Sequence, residues 1–184
     1  MAFDVSTLVT DRTQQDVVYA EQLRDKLVLG TATDAEKAEW NSATLKGAYN
    51  HTDLNRVIAA MDGIKARLEK DGYRVDGYRE TVKEWSDSDE PREAQMEAYL
   101  ANVEAIRGVL DVLPTTPETP KDMNFLTWIE ANDIEQILVD VETLAQSMRK
   151  IYRRSNQVAF YSGFGLWFTV ADELEAKLLE VLGE

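Results

Sequence analysis

The strongest hydrophobic pattern in the chain lies between residues 127 and 154. Apolar side chains recur there at helical spacings and form three adjoining columns on one face: Ile134, Ile137, Leu138, Val141, Leu144, Ala145, Met148, Ile151 and Tyr152. Three columns make a wide core-facing stripe, whereas a coiled-coil seam has only two. The pattern therefore predicts a long central helix that packs against several neighbours.

Weaker patterns of the same kind predict further helices. Thr13 with Asp16 and Thr33 with Glu36 have the spacing of capping boxes, and the sequence SDSDEP resembles a cap followed by a first-turn proline. A last amphipathic stretch follows near the end of the chain. The additional predicted helices cover residues 13–30, 33–43, 52–71, 91–113 and 171–182.

Two segments interrupt the helical pattern. Residues 73–82 alternate around the turn dipeptide Asp76-Gly77, which predicts a short β-hairpin. Residues 114–120 read PTTPETP, and three prolines in that space favour an extended crossing over a ligand for proline-binding modules. The chain as a whole is predicted to be all-α, a bundle of five or six helices in a single domain over residues 1–184. An alternative division into sub-lobes 1–113 and 121–184, joined by the crossing, stays open.

Composition narrows the classes of function. The 34 acidic and 20 basic side chains give a net charge of −14, which repels phosphate backbones and argues against nucleic acid as a partner. Without cysteine and with one histidine, the chain has no thiol chemistry, disulfide or all-nitrogen metal site. No apolar run reaches the roughly 18 residues of a membrane span, and the N-terminus lacks a targeting pattern. We therefore expect no cofactor, no metal and no membrane partner.

Candidate catalytic motifs fail on inspection. His51 stands beside Asp53 at a helix start, where a capping role is favoured because no nucleophile motif accompanies it. Asp87 and Asp89 resemble a calcium loop, but the sixth position from Asp87 is Arg92 and the twelfth is Ala98. The sequence SGFG at 162–165 lacks the lysine of a phosphate loop. The residues thus predict a protein that is not an enzyme.

Two clusters near the C-terminus are candidate partner surfaces. Basic residues lie at the end of the predicted central helix: Arg149, Lys150, Arg153 and Arg154. They either match the helix dipole or dock an acidic neighbour such as another copy of the chain. Aromatic residues follow within nine positions, where they either close the core or anchor a partner: Phe160, Tyr161, Phe164, Trp167 and Phe168. Both pairs of interpretations stay open.

Several stretches of the sequence resemble a group of uncharacterised proteins encoded by phages and prophages of Gram-positive bacteria. They are LVTDRTQQDV, LKGAYNHTDLNRV, YLANVEAIR and LPTTPETPKDMNFLTWIEANDIEQILVDVETL, and the resemblance extends to about residue 152. The group has no catalytic motif that could be carried over to this chain. The chain departs from the group at its end, because the relatives stop after a short serine-glycine tail whereas YSGFGLWFTV leads into a further helix here.

The resemblance implies a virion structural protein of a tail, baseplate or tail tip. Such a protein would be made in the host cytoplasm and assembled into the tail region of the virion. Its partners would be other virion proteins and copies of itself. The alternative is a phage-encoded cytoplasmic regulator or inhibitor, whose acidic surface could imitate DNA.

Overall fold

The computed structural model describes residues 5–82 and 84–162, with side chains described as far as Tyr152. These residues form five α-helices after a 3₁₀ turn and no strand, which confirms the all-α prediction: the turn is Val5–Thr7, and the helices are α1 (Gln14–Val28), α2 (Asp34–Asn41), α3 (His51–Lys70), α4 (Glu93–Arg107) and α5 (Trp128–Ser162). The predicted helix at 171–182 lies outside the described residues. The chain divides into two compact units, Met1–Leu144 and Ala145–Glu184, so the division falls within α5.

The capping signals in the sequence set the starts of the helices as predicted. The Thr13 hydroxyl accepts a hydrogen bond from the Asp16 N–H at 3.3 Å, and the Asp16 carboxylate accepts from the Thr13 N–H at 2.8 Å. Thr33 makes the same reciprocal pair with Glu36 ahead of α2. The cap of α3 is Asn50, which moves that helix start one residue before the predicted one. Each box satisfies N–H groups that an uncapped helix end would leave unpaired.

The predicted proline cap of α4 is wrong. Ser86 and Asp89 close a separate turn, in which the Asp89 carboxylate accepts from the Ser86 N–H at 2.7 Å. The helix begins later, after Arg92, whose N–H donates to the Gln95 side chain at 2.9 Å. It also ends earlier than predicted, at Arg107 and not at 113. The Arg107 side chain contacts the proline-rich segment that follows, where its Nε donates to the Pro117 carbonyl at 2.8 Å.

The predicted β-hairpin at residues 73–82 does not form. Asn102 of α4 provides the hydrogen bonds that a strand ladder would have supplied at Arg79: its carbonyl oxygen accepts from the Arg79 N–H at 2.6 Å, and its amide donates to the Arg79 carbonyl at 2.9 Å. Because a buried side-chain amide pairs the backbone at this point, the segment needs no partner strand. The turn dipeptide keeps its local role, since Gly77 adopts a left-handed φ of 81°.

The segment between α3 and α4 runs back along α3. Tyr78 donates its hydroxyl to Asp62 at 2.8 Å, while Trp85, further along the segment, donates its N–H to Asn55 at 2.7 Å. The partners on α3 therefore step backwards as the segment advances. This return brings the chain to the N-terminal end of α3 before α4 starts.

The proline-rich crossing makes a second return of the same kind, along α4. Thr119 bonds Glu104 of α4 at 2.5 Å, and Thr116 bonds Asp140 of α5 at 2.8 Å. The crossing thus lies inside the first compact unit and links two of its helices. The extended conformation predicted from PTTPETP is wrong at its start, where residues 114–116 form a turn closed by a hydrogen bond from the Thr116 N–H to the Leu113 carbonyl at 2.9 Å.

The core forms where the apolar faces of α3, α4 and α5 meet. The predicted stripe of α5 is buried from Ile134 to Ala145, apart from the partly covered Leu144. It then continues with residues that are exposed. Met148 is 38%, Ile151 is 68% and Tyr152 is 68% exposed, and these three side chains are called the α5 stripe end below.

The first two helices form an antiparallel pair. Tyr19 donates to Glu39 at 2.7 Å and Lys26 pairs with Glu36 at 2.5 Å, so the contacts run in opposite directions along α1 and α2. The loop after α2 then passes close to α1. A Cβ placed on Gly47 would lie 1.9 Å from the Asp16 carbonyl oxygen, which leaves no room for a side chain.

We expect Gly47→Ala to destabilise the fold by at least 1–3 kcal/mol, the usual cost of overpacking, because the atoms in the way belong to the backbone of α1. Urea unfolding measures the change. Gly108→Ala is the matched control, since its nearest obstacle is a carbonyl oxygen at 3.3 Å and its φ is an ordinary −77°. Equal losses in the two variants would contradict the close approach at Gly47.

The pairing of α1 with α2 should weaken in acid. The Lys26 ammonium, followed by the N–H and hydroxyl of Thr33, lowers the pKa of Glu36 from 4.5 to about 2. A carboxylate with a depressed folded-state pKa stabilises the fold above its unfolded pKa, and that stabilisation is lost as the pH falls from 4.5 towards 2. We expect Glu36→Gln to lower the free energy of unfolding at neutral pH. It should also reduce the loss of that free energy between pH 4.5 and pH 2, as measured by urea unfolding. Asp34→Asn, which removes the same charge at a fully exposed carboxylate of the same helix, is the control variant.

Candidate functional site

Four charged side chains meet in the interior of the first unit. Arg12, which precedes α1, lies 2.9 Å from Asp53 of α3 and 2.7 Å from Glu135 of α5. Arg56 of α3 pairs with the same two carboxylates, at 2.9 Å from Glu135. Arg12 is 3% and Glu135 0% exposed. Two cations and two anions cancel, so these four residues, called the buried charge network below, carry no net charge.

Backbone groups and Asn132 add hydrogen bonds to the buried charge network. Glu135 also accepts from the Val9 N–H at 2.7 Å, and Arg12 donates to the Val9 carbonyl at 2.6 Å. Asn132 of α5 accepts from the Arg12 N–H and donates to the Arg12 carbonyl, each at 3.0 Å. Because buried charges are tolerated only when they are paired and hydrogen-bonded, these contacts hold residues 9–12 against α5.

Two tyrosines lie on one side of this network. The Arg12 guanidinium lies 5.3 Å from the centre of the Tyr49 ring, within range of a cation–π contact, and the hydroxyls of Tyr49 and Tyr99 are 2.6 Å apart. Desolvation raises the pKa of Tyr49, even though the Tyr99 hydrogen bond acts in the opposite direction. Burial, with the proximity of Tyr49, also raises the pKa of Tyr99. Both hydroxyls therefore stay protonated at neutral pH.

Tyr49 also forms the shared wall of two neighbouring surface cavities. The first, of about 600 Å³, has aromatic walls from Trp40 and Trp85 in addition to Tyr49. The second, of about 690 Å³, continues past Leu54 and Pro91, which line both, to apolar side chains of α4 and of the segment before α5: Met96, Leu100, Met123 and Leu126. These two cavities together are called the aromatic groove. Each volume falls within the range of ordinary ligand clefts.

Carboxylates surround the aromatic groove. Asp87 and Asp89 line the first cavity, and Glu93, Glu97 and Asp122 line the second, against the single cation Lys121 there. The Ser86 hydroxyl, then the Ser86 N–H and more weakly His51, lower the pKa of Asp89. The groove therefore presents negative charge next to apolar and aromatic surface, a combination suited to a basic and partly apolar partner.

His51 lies on this groove. It is the first residue of α3, directly after the Asn50 cap, and its neighbours in the cavity are aromatic rings and the surface carboxylates Asp87 and Asp89. The Ser86 side chain also lines this cavity. In the described part of the chain, no group of three or more His, Asp or Glu side chains is arranged to hold a metal ion.

The predicted partner residues fall into three groups. Lys150 is exposed, and Arg149 is partly covered with its Nε 3.4 Å from the Ala145 carbonyl. Arg153, Arg154, Phe160 and Tyr161 belong to the described backbone of α5, although their side chains lie outside the described set. Phe164, Trp167 and Phe168 lie outside the described residues altogether. Arg149 and Lys150 thus stand beside the α5 stripe end, while the aromatic half of the prediction stays a prediction.

The comparisons with known proteins return no relative. No family model matches the chain, and no curated protein or solved structure is detectably similar to it. The helices of the described residues include none that is long and apolar enough to cross a bilayer.

The buried charge network generates a stability prediction. Glu135→Gln removes one of two anions that face two arginines, and we expect it to cost about 3–5 kcal/mol, because an unbalanced buried charge remains. Urea unfolding at neutral pH checks this. Glu69→Gln, which breaks the exposed pair with Lys65, should cost less than about 1 kcal/mol. Unfolding of both variants at the same urea concentration would contradict a structural role for the network.

Proposed function

We propose that the protein is a structural component of a phage virion, in the tail, baseplate or tail tip, and that it acts through contacts with other virion proteins and with copies of itself. The blocks of sequence that resemble phage- and prophage-encoded proteins support the assignment to a virion. They extend over most of the chain, to about residue 152, and so include the first compact unit.

The α5 stripe end is the observation that best supports a contact role. On α5 the apolar stripe does not stop where burial stops, since Ile151 and Tyr152 are each 68% exposed. Exposed apolar residues at helical spacing, next to the cations Arg149 and Lys150, are typical of a surface that a partner covers.

A second exposed apolar position precedes α5. Phe125 is 99% exposed and has a φ of 54°, a left-handed conformation that is unfavourable for a bulky residue. Such strain is found most often at functional positions. Ile129, four residues later, is 52% exposed. These residues favour a second area of contact on the first unit.

The buried charge network serves the fold. Arg12, Asp53 and Glu135 pair with one another, and so their charges are already compensated without a substrate. This arrangement favours a protein that presents surfaces over one that turns over a substrate. The charge of −14 is compatible with the alternative of a phage-encoded regulator or inhibitor, which would act on a basic surface.

Mass spectrometry of purified, nuclease-treated particles from an induced lysogen distinguishes these two functions. A virion component is recovered in constant proportion to the tail proteins through a density gradient. A regulator is found in the lysate and is lost from the particles. Absence from gradient-purified particles would reject the proposed function.

Substitutions at the predicted partner residues should impair assembly. We expect Arg153→Glu and Trp167→Ala each to lower incorporation into particles by roughly tenfold or more, the effect of losing an interface anchor. Incorporation is measured by quantitative mass spectrometry of particles purified from a deletion strain that is complemented with each variant. Arg24→Glu, at an exposed arginine of α1 that pairs with its neighbour Asp25, is the control. Normal incorporation of both test variants would show that these residues do not form the contact.

A further inference from the structure

We propose that the chain associates head to tail with itself, and that the α5 stripe end of one copy docks into the aromatic groove of the next. The inference rests on the proposed function, because it names the surface that receives the C-terminal part of α5. Its occupant is a second copy of this chain.

The α5 stripe end has the form of a helical docking element. Met148, Ile151 and Tyr152 stand at positions i, i+3 and i+4 of one helix, which is the spacing of anchors that a helix inserts into a groove. Tyr152 supplies an aromatic ring with a polar tip, a side chain enriched at interfaces. Since Ile151 and Tyr152 are mostly exposed, they are available to a partner.

The aromatic groove offers a receiving surface of matching character. Its two cavities share the walls of Tyr49, Leu54 and Pro91, so they adjoin each other and together have room for several side chains. Trp85, which lines the first cavity, is 7% exposed, and its indole N–H has no hydrogen-bond partner within the described part of the chain. The groove therefore combines aromatic and apolar side chains, such as the buried Trp85, with polar and acidic ones.

Charge complementarity identifies the occupant. Residues 149–154 hold four of the 20 Lys and Arg side chains in a chain of net charge −14: Arg149, Lys150, Arg153 and Arg154. The groove carries five carboxylates against Lys121. Two copies of an acidic chain repel each other on most approaches, and contact between this basic segment and this acidic groove replaces repulsion with attraction.

The same charges select the symmetry of the assembly. Two α5 stripe ends packed against each other would bring two basic segments together, which is unfavourable for like charges. The contact therefore uses two different surfaces, one from each copy. In the proposed head-to-tail arrangement, each pair leaves one groove and one stripe end unused, and the contact continues into a ring or a filament.

A complementation experiment tests this arrangement in solution with the full-length chain. Ile151→Asp disables the stripe end, whereas Asp87→Lys with Glu97→Lys reverses charge in both cavities of the groove. We expect the wild type to sediment above the monomer mass of 20.9 kDa and each variant alone to sediment as the monomer. An equal mixture of the two variants should recover about twice the monomer mass, because it retains one intact groove and one intact stripe end.

Controls separate this contact from general effects of charge and folding. Asp25→Lys with Glu80→Lys makes the same change in charge at exposed positions outside both cavities, and it should associate like the wild type. Lys150→Glu, a milder change on an exposed side chain, should weaken association in the same direction as Ile151→Asp. Circular dichroism confirms that each variant keeps its helices.

Three results would overturn the inference: a monomeric wild type, a mixture that stays monomeric, or a groove variant that associates like the wild type. The last result would indicate contact between two stripe ends. A monomeric protein that is nevertheless recovered in purified virions would overturn the head-to-tail contact and leave the proposed function standing. A head-to-tail oligomer that is absent from virions would do the reverse.

Discussion

The architecture of the first unit depends on burying two arginines and two carboxylates together. Arg12 arrives from a short segment before α1, Asp53 and Arg56 from α3, and Glu135 from α5. Any three of them without the fourth would leave an uncompensated charge in the interior. The positions of these three parts of the chain are therefore set jointly. Further along, Arg67 of α3 pairs with the fully buried Glu142 of α5, so ion pairs join these two helices at two levels.

The network also shapes the surface. Arg12 lies over the ring of Tyr49, and the Tyr49 hydroxyl meets that of Tyr99 on α4. The same Tyr49 forms the wall common to both cavities of the aromatic groove. A buried electrostatic arrangement thus determines where an exposed, acid-rimmed surface lies. The α5 stripe end is opposite to this surface in charge. Its apolar residues are exposed, and the charged residues beside it are basic.

Local signals in the sequence predicted the helices well, because caps and apolar periodicity act over a few residues. Thr13 and Thr33 each make the predicted capping box, and Thr127 makes another with Glu130. The prediction failed where distant side chains pair the backbone, as Asn102 does at Arg79 in place of a hairpin. The charge network was not predicted, because Arg12, Asp53 and Glu135 lie far apart in the sequence. Its signal was present, since Glu135 and Glu142 occupy positions seven apart inside the apolar stripe of α5.

By itself, the sequence determined the helical class, the main helix starts, the long stripe of α5 and the concentration of basic residues at 149–154. Each of these follows from residues close together in the chain. Only the tertiary structure decided that Arg12 meets Glu135, that residues as distant as Trp40, Tyr49, Trp85 and Leu126 line one groove, and that the stripe of α5 emerges from the core after Ala145. These features come from contacts between distant segments, and no local period or motif encodes which segments meet.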